Sequence, residues 1–141
     1  MQQHAMMDVF NITALDYASA GDASATIKRK LKQLGIDSTV LRRIAVASYE
    51  AELNLIIHSM GGTLTLSITT TEIKLVSRDV GPGIPDIERA LQEGYSTANA
   101  EARNMGFGAG MGLPNMRRNA DDFTIESEMG KGTQIQMRFA I

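Results

Sequence analysis

"GTLTLSITTTEIKLVSRD", residues 62–79, places Leu64, Leu66 and Ile68 between Thr and Ser, then Ile73, Leu75 and Ser77 between Lys74 and Val76. Alternation with a period of two puts one set of side chains on one face of a strand. Two such runs separated by Thr70 and Thr71 leave room only for a tight turn. The stretch therefore predicts a β-hairpin, and everything around it has to cover its apolar face.

Upstream, Val40, Leu41, Ile44, Val46, Ala47, Leu53, Leu55, Ile56 and Ile57 keep the wide apolar face of a helix, capped by Asp37 or Ser38 and ended near Ser59 by "MGG". Before it, Ala25, Ile27, Leu31 and Leu34 lie among Lys28, Arg29, Lys30 and Lys32, with Gly35 behind. That pattern predicts an amphipathic helix over 24–34 with a solvated basic face. "DVFNIT", residues 8–13, reads as a half-buried strand.

Downstream of the hairpin, a short helix is expected at 86–93 and another at 113–121, the latter from Leu113, Met116 and Ala120. "FTIESEMGKGTQIQMRFAI" then reads as strand, turn and strand, with Phe123, Ile125, Ile135, Met137 and Phe139 inward. Residues 94–112 are rich in Gly, Asn, Ser and Ala without a sustained period. A loop of that length is uncommon in a compact domain unless it serves as a lid or binding loop.

The predicted order is β, α, α, β, β, α, lid, α, β, β, in one domain over 1–141 whose first seven residues, including His4, read as a tail or expression remnant. Helices segregated from strands predict an α+β two-layer sandwich: a mixed, mostly antiparallel sheet with helices on one face.

Composition narrows the function. Fourteen basic against sixteen acidic residues, with no Lys/Arg run, argue against nucleic acid as a direct partner. The absence of cysteine excludes disulfides and thiolate metal sites. No apolar run is long enough to span a bilayer and no signal peptide is visible, so no membrane association and a cytoplasmic location are expected.

Three constellations carry chemistry. In "YEAELNLIIH", Glu50, Asn54 and His58 recur every four residues and line one helical stripe. Asn54 can offer a hard oxygen to Mg²⁺ and Glu50 can serve as a general base, although such spacing also occurs on ordinary half-exposed helices. In "SRDVGPGIP", Asp79 ends a strand before Gly81 and Gly83, which admit a flat ligand while the carboxylate accepts from an exocyclic amine; a plain Pro/Gly turn has the same composition. In "MGFGAGMGLPNM", residues 105–116, Gly106, Gly108, Gly110 and Gly112 precede a helix at Leu113. Backbone N–H groups at such a helix start bind phosphate oxygens, whereas the stretch alone is equally a flexible loop. Neither a preceding strand with a βαβ unit nor a terminal Gly-Lys-Ser/Thr is present, so it is not a dinucleotide fingerprint or a Walker loop.

Taken in order, E-x-x-x-N-x-x-x-H, D-x-G-x-G, the glycine series before a helix and "GKGT" between two strands resemble the GHKL ATPase superfamily with the Bergerat ATP-binding fold. Within it, "DVGPGIPDIERALQEGYSTA" and "GAGMGLPNMRRNADDFTIESEMGKGT" are similar to the small bacterial serine/threonine kinases and anti-sigma factors of partner-switching systems. The resemblance implies Mg-ATP: Asn54 on the metal, Glu50 as base, Asp79 on the adenine amine beside Gly81 and Gly83, and Thr133 supporting Asp79. Gly108, Gly110, Gly112 and Leu113 would hold phosphates, with residues 94–112 as the ATP lid. "NAEARNMGF" makes that lid longer than the pattern of the group's stressosome kinase, and Arg103 there is either a charge clamp or a solvated arginine.

The implied activity is phosphorylation of Ser or Thr on a STAS-domain antagonist, with a sigma factor or other regulator as a further partner and a homodimer left open. The alternative is a nucleotide-gated anti-sigma or switch module with little kinase activity. No hairpin carrying a phosphoacceptor histidine precedes the domain, and no transducer domain of the gyrase or MutL type follows it, so those branches are not expected.

Overall fold

A computed structural model of the chain describes residues 6–92 and 112–141. The expectations that fall on 93–111, among them Arg103, Gly106, Gly108, Gly110 and most of the lid, lie outside the described residues, as does His4.

The hairpin forms as the alternation requires: β2 spans Gly62–Ile68 and β3 spans Glu72–Asp79, antiparallel, with Leu66 opposite Leu75. Strand β1, Met6–Ile12, pairs with β2 on the outer side. Met6 and Met7, read with the tail, instead pair with Ile68 and Ser67. Register decides which β1 residues turn inward: Phe10 and Ile12 are half-buried, while Val9 faces solvent at 58% exposure.

On the far side, β4 (Asp122–Glu128) and β5 (Gly132–Ala140) form a second hairpin, and β5 inserts beside β3 to give the order β1-β2-β3-β5-β4. All four pairings are antiparallel, so the expected mixed sheet is wholly antiparallel among the described residues.

One face of this sheet carries the core. Leu64, Leu66, Ile73, Leu75, Ile135, Met137 and Phe139 are buried beneath helices α1 (Asp22–Gln33), α2 (Ser38–His58) and α4 (Gly112–Asn119). The short α3 spans Ile87–Ala90, capped by Asp86, whose side chain accepts from the Arg89 N–H. Among the described residues seventeen Leu, Ile, Met and Phe side chains are buried, and at about 1.5–3 kcal/mol each their burial is the main driving force for this arrangement.

Helix α2 starts where predicted, with the Asp37 carboxylate accepting from the Thr39 N–H at 3.1 Å. Helix α1 differs from its sequence reading. Ala25 and Leu34 are exposed, and the buried line is Ala23, Ile27 and Leu31, four residues apart. The cause is Glu52, on the buried side of α2 at 1% exposure. Its carboxylate accepts from the N–H groups of Gly21 and Ala23 at 3.1 and 3.2 Å, and from Ser24 at 3.0 Å. A full carboxylate thus meets the positive end of α1 and satisfies three otherwise unpaired donors, which fixes how α1 is rotated on α2.

Candidate functional site

The site lies where α2 passes the start of α4 and the end of β3. Helix α4 runs antiparallel to α2 and is pinned at both ends. At its C-terminus, Arg43 of α2 donates to the Asn119 carbonyl at 2.8 Å and to Asp121 at 2.9 Å, and its guanidinium lies 6.0 Å from the centre of the Phe139 ring. A cation there satisfies an end carbonyl and complements the helix dipole. At its N-terminus, Leu113, Pro114 and Met116 are buried, and the first residue, Gly112, faces α2.

That contact assembles the first cluster. A Cβ placed on Gly112 would sit 3.3 Å from Glu50 Oε2 and 3.9 Å from Asn54 Oδ1. The Glu50–Asn54 stripe therefore lies against the start of α4, the end at which a helix leaves backbone donors without intrahelical partners. Glu50 Oε1 accepts from Asn115 Nδ2 at 3.4 Å, and among the described residues Oε2 accepts nothing. Burial raises the Glu50 pKa above the usual glutamate value, and the Asn115 contact partly opposes the rise. His58, at the end of the stripe, is half-buried, and desolvation lowers its imidazole pKa.

The second cluster surrounds Asp79, the last residue of β3. Its Oδ1 accepts from the backbone N–H of Thr133 at 2.7 Å. The Thr133 hydroxyl pairs with the Ser127 hydroxyl at 2.9 Å, across the β4–β5 hairpin. Thr133 thus supports Asp79 through its main chain. Among the described residues Oδ2 accepts nothing. Desolvation raises the Asp79 pKa, against the lowering effect of the Thr133 bond.

The glycines around Asp79 do unequal work. Gly132 has φ +133°, and a Cβ there would fall 2.3 Å from the Asp79 carbonyl oxygen and 2.8 Å from Oδ1. Only glycine fits. Gly83, at φ +82°, presses against the backbone of Glu128 and Met129 in the β4–β5 turn, which the Gly130 N–H holds through the Pro82 carbonyl at 3.0 Å. Gly81 borders Asp79 and the end of α2 with room for a Cβ, which would keep 3.6 Å from Asp79 Oδ1, Met60 and Ser59.

The described part of the predicted set thus falls into two neighbouring corners, Glu50, Asn54, Gly112 and Leu113 in one, and Asp79, Gly81, Gly83 and Thr133 in the other. Sequence reasoning missed Asn115, Arg43 and Glu52. Glu52 did leave a signal: it stands four residues from Ser48 and Ile56, both buried, so the helical period places a charge on the inner face. Asn115 left none, because its significance depends on which helix faces it.

A helix bearing Glu and Asn one turn apart, a second helix starting against them, and an Asp held in a glycine-walled sheet corner define a nucleotide-handling α+β domain. Residues 39–141 match the family described as "Histidine kinase-, DNA gyrase B-, and HSP90-like ATPase", and the chain belongs to it. Its relatives include the "Serine/threonine-protein kinase RsbT" of Bacillus subtilis, 32% identical over 109 residues, covering 74% of this chain and 76% of that protein. The "Anti-sigma F factor" of Geobacillus stearothermophilus is 32% identical over 124 residues, covering 84% and 82%. That of Thermoanaerobacter sp. is 36% identical over 109 residues, covering 72% and 73%. Among solved structures, the SiaB-SiaC complex from Pseudomonas aeruginosa has a similar fold, with a TM-score of 0.50 at 11% identity over 95% of this chain and 89% of that one.

Among the described residues no helix is long and apolar enough to cross a membrane.

Proposed function

We propose that the protein is a cytoplasmic Mg-ATP-dependent serine/threonine kinase that phosphorylates a STAS-domain antagonist in a partner-switching system. The observation that carries this reading is the convergence of Glu50 and Asn54 on the start of α4. In this reading a base, a hard oxygen ligand and phosphate-binding backbone donors share one small volume. The kinase named among the relatives supports the activity.

The residues fit the nucleotide. Asp79 offers an uncommitted oxygen to an exocyclic amine, in a corner narrowed by Gly81, Gly83 and Gly132. The backbone donors at Gly112 and Leu113, with Gly108 and Gly110 of the lid, receive the phosphates. Among the described residues no group of three His, Cys, Asp or Glu could hold a metal. Magnesium suits such a site, since it commonly takes one or two protein oxygens, here Asn54 Oδ1, and completes its shell with phosphates and water. When bound, it neutralises charge on the phosphate oxygens.

Glu50 performs the proton step. As the substrate hydroxyl oxygen forms its bond to the γ-phosphorus and the bond to ADP breaks, the Glu50 carboxylate takes the hydroxyl proton. Positioning and charge neutralisation supply the rest, so no covalent intermediate is needed.

Incubation with labelled ATP, magnesium and candidate STAS proteins tests this. Acid-stable phosphate on Ser or Thr is expected, and Glu50→Gln is expected to cut transfer by about 100-fold or more while sparing ATP affinity. Tight ATP binding without transfer to any candidate would sink the kinase reading.

The relatives named anti-sigma F factor favour a second reading, a nucleotide-gated module that binds a sigma factor. A partner whose affinity differs between ATP and ADP but which never acquires phosphate would establish it.

A further inference from the structure

We infer that Asn115 is the positioning residue for Glu50, holding one carboxylate oxygen so that the other points to the reacting hydroxyl. The inference rests on the assignment of Glu50 as base. Asn115 lies on α4, one turn after Gly112, and its Nδ2 donates to Glu50 Oε1 at 3.4 Å. Its orientation is set from the other side: Arg118 Nη1 donates to Asn115 Oδ1 at 3.4 Å. A guanidinium can only donate, so the carboxamide oxygen must face Arg118 and the NH₂ must face Glu50. The relay Arg118–Asn115–Glu50 thereby leaves Oε2 as the carboxylate oxygen with no described partner. Both contacts are long, as catalytic hydrogen bonds commonly are before the nucleotide complex forms.

The scaffold supports the same role. Arg43 ties the far end of α4 to α2, and Leu113 and Met116 on either side of Asn115 are buried. Asn115 is therefore delivered to Glu50 by a helix locked at both ends. Its own backbone carbonyl is occupied by Asn119 Nδ2 at 2.8 Å, which keeps the last turn closed beneath it.

A double-mutant cycle tests the assignment on the full chain. Asn115→Ala is expected to lower kcat by about tenfold with KM for ATP changed less than about twofold, and to cost nothing further in a Glu50→Gln background. Asn115→Asp keeps the shape but turns an acceptor toward the carboxylate, and is expected to lose at least as much. Without nucleotide, the Asn115 side-chain amide resonances should move in Glu50→Gln. An equal loss in both backgrounds, an unchanged kcat, a loss confined to KM, full activity of the Asp variant, or unmoved resonances would overturn the role of Asn115. Retention of transfer by Glu50→Gln would instead overturn the base assignment itself, whatever Asn115→Ala does.

Discussion

The two corners of the site are built from different materials. Around Asp79 the walls are main chain: the Thr133 N–H, the Gly132 backbone and the β4–β5 turn that receives Gly83. Around Glu50 they are mostly side chains on helices, Asn54 and Asn115, beside the bare backbone of Gly112. Main chain in a sheet cannot move without breaking the ladder, so the first corner has a fixed shape. Side chains can rotate by tenths of an ångström at little cost, so the second can adjust as charge develops. The difference agrees with the proposed roles, recognition of a flat, rigid base in the first corner and a changing reaction centre in the second.

Substituting alanine at the two glycines separates the corners most sharply. Gly132→Ala drives a Cβ into the Asp79 carbonyl at 2.3 Å, at a φ of +133° that alanine avoids. It is expected to destabilise the fold by about 3 kcal/mol or more, measured by urea unfolding, with ATP binding lost as well.

Asp79→Asn probes the same corner without strain. The Asp79 pKa is raised by burial above the ordinary 3.8, so its favourable contribution to stability is present below about that pH and is lost as pH rises through the raised value. At pH 7 the ionised carboxylate is therefore a cost. The Asn variant is expected to melt at or above the wild-type temperature at neutral pH, with the gap closing toward about pH 4. ATP affinity should nevertheless fall about tenfold or more, read by calorimetry, because one acceptor has become a donor. A variant that loses stability at pH 7 would contradict the desolvated setting of Asp79.

Gly112→Ala should have the smallest effect. Its Cβ would meet side-chain ends, Glu50 Oε2 at 3.3 Å and Asn54 Oδ1 at 3.9 Å, and alanine favours a helix by up to about 1 kcal/mol over glycine. Unfolding free energy is expected to stay within about 1 kcal/mol of wild type while turnover falls a few-fold as Glu50 rotates away. Equal penalties for the two alanine variants would erase the distinction between the corners.

Much of the fold was legible because its signals are local. The hairpin follows from alternation in 62–79, and α2 from its period and its Asp37 cap, each written within a few consecutive residues. The Glu50–Asn54 stripe was legible for the same reason. Details that depend on a partner distant in sequence were not. Ala25 and Leu34 look like core residues until Glu52 fixes the rotation of α1, across 28 to 31 positions of chain. That Thr133 meets Asp79, 54 residues away, through its main-chain N–H depends on β3 and β5 lying side by side.

The sequence by itself determined the strand and helix periods and the family they resemble, and it singled out the residues proposed as base, metal ligand and amine acceptor, because those depend on spacing along the chain. Tertiary structure alone decided that α4 starts against Glu50 and Asn54, that Asn115 reaches the carboxylate, and that Gly132 admits Asp79. Those are meetings between segments tens of residues apart, and the energy that fixes them comes from burial and hydrogen bonding at the contact, which no local pattern records.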